Sequence, residues 1–338
     1  MQPQGPAHPV APRAPRLTRR AFGACLAAPL AAALLPRRAA AALPRGPLPE
    51  MKALYYRFAN SPFPYNGPRP DDGKPFLDVQ TRDGRLGHTS PRGGVYYLDP
   101  TYSDQRVLAA LPSGFDLQRK GCIVVFFHGN QTILERDVVE RQKVLDQLED
   151  SGLNAAFLAP QFAVDALDSS AGRFWEPGFF SRFLAEGALA LAELWGNPVA
   201  KMAFAAMPVI LVAYSGGYNP LAYAISVGGA GRRVAGVVLL DALFGEEDRF
   251  TDWVRDNRRH AFFLSTFTES SEPENAAVRD RLKTEGVGAL SGPPRVLAPG
   301  TVDFFPTLGH DHATYMTDAW VDTPLAWVLD RVRGYPRG

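Results

Sequence analysis

The chain has 338 residues, 46% hydrophobic and 21% charged, enough for one large α/β domain or two small ones. A net charge of +1, with no basic stripe interleaved with aromatics, argues against a nucleic-acid partner. Its cysteines, Cys25 and Cys122, make neither a disulfide framework nor a zinc cluster, so no metal and no cofactor is expected.

The first element is a targeting segment. Thr18-Arg19-Arg20-Ala21-Phe22 begins a twin-arginine pattern, an apolar stretch covers 21–35, and the small residues 39–42 offer an Ala-x-Ala cleavage site. Residues 1–42 are therefore expected to be a twin-arginine signal peptide, read by the twin-arginine export machinery. The apolar stretch is too short for a stable bilayer anchor. The mature chain is expected to begin near Leu43, in the periplasm or outside the cell, with no stable membrane anchor.

Residues 43–104 are broken by proline and glycine, as in Ser61-Pro62-Phe63-Pro64-Tyr65 and Pro68-Arg69-Pro70-Asp71-Asp72-Gly73. Only short strands, at 77–82 and 95–98, are predicted there. A regular alternation fills residues 105–338. Strands are predicted at 122–127, 155–159, 208–214, 234–240, 261–266 and 301–305. Helices are predicted at 135–148, 179–195, 221–227, 250–258, 276–283 and 324–332. Continuous apolar strands alternating with helices mean a mostly parallel, doubly wound sheet with helices on both faces. In such sheets chemistry collects at the C-terminal strand ends. His128, Gly129, Ser215, Asp241, Glu269 and His310 all fall there.

The most informative segment is Val209-Ile210-Leu211-Val212-Ala213-Tyr214-Ser215-Gly216-Gly217. A β-branched run stops at a serine between small residues, and a helical pattern follows at once. Such a turn lifts the hydroxyl clear of the sheet and aims the first helical N–H groups at the space beside it. Ala213 stands where glycine is usual in this pattern. A serine becomes a nucleophile when a neutral imidazole takes its proton and a carboxylate orients the ring.

The order strand-Ser, then Asp, then His resembles the α/β-hydrolase family from about Gly121 to the C-terminus. Phe126-Phe127-His128-Gly129-Asn130, Ala213-Tyr214-Ser215-Gly216-Gly217, Leu239-Leu240-Asp241 and Leu308-Gly309-His310 carry the resemblance. It implies an α/β-hydrolase fold and a Ser-His-acid hydrolase acting through an acyl-enzyme. It also implies an oxyanion hole from the backbone N–H groups of Gly216 and Asn130. Gly-His after the last strand is the commoner family arrangement and favours His310 as the base, with His312 as the alternative. The acid is Asp241 or Glu269. Asp241 is favoured because a carboxylate ending the run 237–240 is costly to bury without partners.

His128 is expected to order its loop through ring hydrogen bonds, whereas His88 and His260 look like surface residues. The stretch 162–178 is expected to wall the site. The expected substrate is a small-molecule or envelope-derived ester, with an amidase or peptidase, or a non-catalytic binding member of the fold, as the other readings.

Overall fold

The computed structural model describes residues 46–337. The expected signal peptide lies outside the described residues.

Apolar strands build one sheet, and every expected strand from 122 onward is present. In chain order the strands are β1 (Lys52–Arg57), β2 (Val79–Gln80), β3 (Leu86–Thr89), β4 (Val95–Tyr97), β5 (Arg106–Leu111), β6 (Cys122–Phe127), β7 (Ala155–Pro160), β8 (Val209–Tyr214), β9 (Val234–Leu240), β10 (Phe262–Phe267) and β11 (Val302–Pro306). Eight of them form the main sheet in the order β1-β5-β7-β6-β8-β9-β10-β11. β5 runs antiparallel to both neighbours, and the strands from β7 to β11 are parallel to one another. Counted within the sheet the order is 1-2-4-3-5-6-7-8 with the second strand reversed. That is the α/β-hydrolase fold.

Alternation along the strands divides the core. In β8, Val209, Leu211 and Ala213 join one apolar cluster, while Ile210, Val212 and Tyr214 join the other. The first face is covered by the helices Phe179–Trp195, Tyr218–Ser226 and Glu247–Asn257, the second by Val144–Asp150 and Pro324–Asp330. Both faces of the sheet are thus dry, which is why its strands read as unbroken apolar runs.

Several elements differ from the sequence expectation. The stretch 135–148 is not one helix: a π-helical segment, Leu134–Arg141, is followed by Lys143 at φ +51°, and a new helix starts at Val144. A left-handed lysine cannot continue a right-handed helix, so the pattern breaks there. Residues 43–104, where short strands are predicted only at 77–82 and 95–98, also supply the edge strand β1, which pairs with β5 along its whole length. β1, β3 and β5 all lie outside the predicted strands. In β1, Leu54 and Tyr55 are exposed, so the strand lacks the buried signature of the others.

Candidate active site

β8 delivers Ser215. Its backbone sits at φ +54°, the left-handed region, and the short helical turn Ser215–Gly217 leads into the helix Tyr218–Ser226. The bend is tight enough to forbid side chains beside it. A Cβ on Gly217 would lie 2.1 Å from the Phe127 carbonyl oxygen, and one on Gly129 would lie 2.8 Å from Ser215 Cβ. Ala213, by contrast, is fully buried in the strand and pairs in register with Phe127 and Leu239, so its methyl fits the core.

β9 delivers Asp241, also left-handed at φ +44° and 0% exposed. A lone buried carboxylate would cost several kcal/mol, about 3–5 where a partner is removed. Here it is saturated with donors. Oδ1 accepts from Thr268 N at 3.0 Å and Ser271 Oγ at 2.5 Å, and Oδ2 accepts from Thr268 Oγ1 at 2.9 Å and Ser270 Oγ at 3.3 Å. Burial by itself pushes the Asp241 carboxyl up. Hydrogen bonds from His312, Ser271 and Thr268 outweigh that and hold it below the usual carboxylate value.

The loop after β11 delivers the imidazole. His312 Nδ1 donates to Asp241 Oδ2 at 2.7 Å, and Ser215 Oγ donates to His312 Nε2 at 2.8 Å. The directions follow from chemistry: a carboxylate only accepts, so the proton sits on Nδ1 and Nε2 is bare. Tyr214 and Phe244 fix the ring. Tyr214 stacks on it at 5.4 Å between centroids and an interplanar angle of 21°, and Phe244 meets it edge-on at 5.4 Å.

The expectation that His310 fills this place is corrected. His312 stands there, and His310 is outside the hydrogen-bonded chain. The cause is the loop's course. Gly309 turns at φ +86° with its N–H donating to Glu269 Oε1 at 2.9 Å, so the chain reaches Ser215 only at the third residue after that turn. Glu269, the other candidate acid, therefore anchors the loop and does not meet the imidazole. Asp241 does. The neighbours of Glu269, namely Thr268, Ser270 and Ser271, supply the hydrogen bonds that Asp241 accepts.

Gly216 lies against the Asn130 side chain. A Cβ on Gly216 would lie 2.3 Å from Asn130 Oδ1, and Ser169 Oγ donates to that oxygen at 3.0 Å. The Gly216 N–H belongs to the first turn after Ser215, where N–H groups lack intrahelical acceptors. His128 lies behind them. Its Nδ1 donates to the Gly129 carbonyl at 2.7 Å and its Nε2 accepts from Phe162 N at 2.9 Å, while burial drives its pKa down to about 4. It is a neutral strut for the loop, as its position suggested.

A cavity of ≈ 180 Å³ has Ser169 in its wall, the residue whose hydroxyl donates to Asn130 Oδ1. The stretch 162–178 does wall it, through Asp168, Ser169, Ser170 and Trp175. The opposite wall, from Arg69 to Arg92, was not anticipated. His88, read as a surface residue, is 1% exposed and sits on that wall, because β3 is roofed by Phe76 and Tyr102. Among the described residues no group of three or more His, Cys, Asp or Glu side chains could hold a metal ion.

No family model matches the chain, and no curated protein does. Among solved structures it is similar to the feruloyl esterase module from Clostridium thermocellum, with 15% identity over 78% of this chain and 95% of that one, at a TM-score of 0.42. It is also similar to an S-formylglutathione hydrolase from Agrobacterium tumefaciens, with 14% identity over 73% of this chain and 94% of that one, at a TM-score of 0.40. A thermostable esterase from Pseudomonas putida shares 12% identity over 68% of this chain and 77% of that one, at a TM-score of 0.39. The fold is read from the strand order, and the site from its own geometry.

Proposed function

We propose that this chain is a serine hydrolase that cleaves carboxylic esters through an acyl-enzyme. The observation that carries the reading is the continuous hydrogen-bonded chain from Ser215 through His312 to Asp241 at the C-terminal ends of the strands. In this reading His312 Nε2 takes the Ser215 proton as Oγ attacks the ester carbonyl. Ionised Asp241 stabilises the imidazolium that results. The Gly216 and Asn130 N–H groups hold the oxyanion. The intermediate collapses, the alkoxide leaves with the proton from His312, and water then repeats the sequence on the acyl-serine. Export by the twin-arginine route belongs to the same proposal and is supported by residues 18–42 alone.

A fluorophosphonate probe tests it. Peptide mass should place the label on Ser215, and Ser215→Ala should take none while keeping its fold. A purified wild-type chain that resists the probe, or carries the label elsewhere, ends the proposal. A matched panel of esters and amides then ranks the leaving groups.

A further inference from the structure

Ser169 stands outside the hydrogen-bonded chain of Ser215, His312 and Asp241, yet it meets two residues next to that chain. Its hydroxyl donates to Asn130 Oδ1 at 3.0 Å. A Cβ on Gly216 would lie 2.3 Å from that same Oδ1 and 2.6 Å from Ser169 Oγ. The backbone of the residue after Ser215, the Asn130 amide and the Ser169 hydroxyl therefore meet at one point. Only glycine at 216 leaves room for the other two.

Ser169 is itself held from both sides. Asp168, 5% exposed, accepts from the Tyr102 hydroxyl through Oδ2 at 2.6 Å. Its Oδ1 accepts from Ser170 N at 3.0 Å and Ser170 Oγ at 2.8 Å. One residue earlier, the Leu167 carbonyl accepts from Ser90 Oγ at 2.5 Å, and the Leu167 N–H donates to the Tyr96 hydroxyl at 3.2 Å. A buried carboxylate with three donors is costly to move, since each lost partner leaves charge uncompensated. The stretch 167–170 is thus moored to residues 90–102.

That mooring reaches the loop after β6. Gln131 sits at φ +53°, in the left-handed region, and its N–H donates to the Ala166 carbonyl at 2.8 Å. Thr132 bridges Val164. With the Ser169 bond, three successive residues, 130 to 132, are tied to the stretch 164–169.

In the hydrolase reading above, on which this inference rests, the N–H groups of Gly216 and Asn130 receive the oxyanion. Such donors stabilise a transition state only if they are aimed before the reaction, which requires support behind them. We propose that Ser169 is a positioning residue for this pair. Its hydroxyl, moored through Asp168 and Tyr102, fixes the Asn130 side chain against Gly216 and so sets the spacing of the two donors. It acts through Asn130 and not on the substrate.

The test is a double-mutant cycle of Ser169→Ala and Asn130→Ala in the full chain, read with p-nitrophenyl butyrate and a trifluoromethyl ketone. The ketone carbonyl takes the Ser215 oxygen, the serine proton passes to His312, and the carbonyl oxygen becomes a stable oxyanion. One hydrogen bond is worth about three- to tenfold in rate, so Ser169→Ala should lower kcat by that factor with KM within about twofold. The inhibition constant of the ketone should rise by the factor by which kcat/KM falls, a match that a mere packing defect does not produce. Asn130→Ala keeps its backbone N–H and should lose at least as much, and the double variant should lose no more than Asn130→Ala alone. The pH dependence of kcat/KM, set by His312, should not move. Unaltered kcat in folded Ser169→Ala, losses that multiply in the double variant, a rise in KM alone, or a shifted pH profile would each overturn the proposal. Ser169→Cys, close in size and a weaker donor, takes the place of Ser169→Ala if that variant misfolds, and the same outcomes decide. Fluorophosphonate labelling reports separately: a labelled Ser215 beside an indifferent Ser169 sinks this inference alone, whereas an unlabelled wild-type chain without ester turnover sinks both readings.

Discussion

The Tyr214 hydroxyl donates to the His312 backbone carbonyl at 2.6 Å, while the two rings stack. The residue before the serine thus holds the imidazole from both its backbone and its face. Tyr214→Phe keeps the stack and deletes the hydrogen bond. A neutral hydrogen bond contributes ~0.5–1.5 kcal/mol, so kcat/KM on an activated ester should fall up to about tenfold. The fluorophosphonate labelling rate should fall in step, with the far-UV spectrum unchanged. An unaffected rate would mean the ring stack alone positions His312.

His312→Ala should reduce ester turnover by about 10³-fold or more, whereas His310→Ala should stay within a few-fold of wild type. Asp241→Asn should cost about 10⁴-fold by favouring the wrong tautomer. Added to Ser215→Ala, neither should cost much more, because such residues act as a unit. Steady-state kinetics on one ester decides the matter. A crippled His310→Ala beside an active His312→Ala would mean the loop rearranges when substrate binds.

Gly217→Ala should destabilise the fold by about 1–3 kcal/mol, since the added methyl has no room against the Phe127 carbonyl. Ala213→Gly installs the residue usual at that place. It should cost only ~0.5–1 kcal/mol through chain entropy and leave activity intact. Urea midpoints measure both. A neutral Gly217→Ala would show that the turn is looser than its geometry.

His128 links stability to pH. Its pKa falls from 6.5 to about 4 on burial, so below pH 6.5 the unfolded chain binds a proton that the native chain refuses. Its contribution is fully present above pH 6.5 and is lost as pH falls toward 4, by ~3 kcal/mol at most. Asp241, depressed in the native state, adds a further loss only as pH falls below its ordinary 3.8. Urea midpoints between pH 7 and 4.5 should therefore decline. In His128→Gln, less stable throughout, the decline should be shallower. An equal slope in both proteins would assign the effect to other groups.

Replacing Arg19 and Arg20 together by lysine should hold the protein in the cytoplasm as precursor, because a receptor reads the twin arginine. Cell fractionation with precursor and mature sizes checks this. Normal export of the double variant would point to another route.

Burial made most of the central strands legible in advance, although β5, buried from Val107 to Leu111, was still missed. Strands buried on both faces, such as Cys122–Phe127 and Val209–Tyr214, announce themselves by composition, and their ends predicted where Ser215 and Asp241 stand. The edge strand Lys52–Arg57 has half-wet faces and left no such mark. His310 and His312 differ by two residues in a loop without periodicity. Which one reaches Ser215 depends on the Gly309 turn together with two long-range contacts, its tie to Glu269 and the grip of Tyr214. The His88 wall was illegible for the same reason, since its burial comes from Phe76 and Tyr102 folding over it.

Ser215 and Asp241 both occupy left-handed backbone, at φ +54° and +44°, where a non-glycine residue costs about 1–3 kcal/mol. The fold therefore keeps two residues that thermostability alone would not choose. Glycine at either position would relieve the backbone and remove the functional group at once. A laboratory evolution campaign selecting only for heat resistance should drift toward inert proteins through these two codons. Selection must include turnover at every round to keep them.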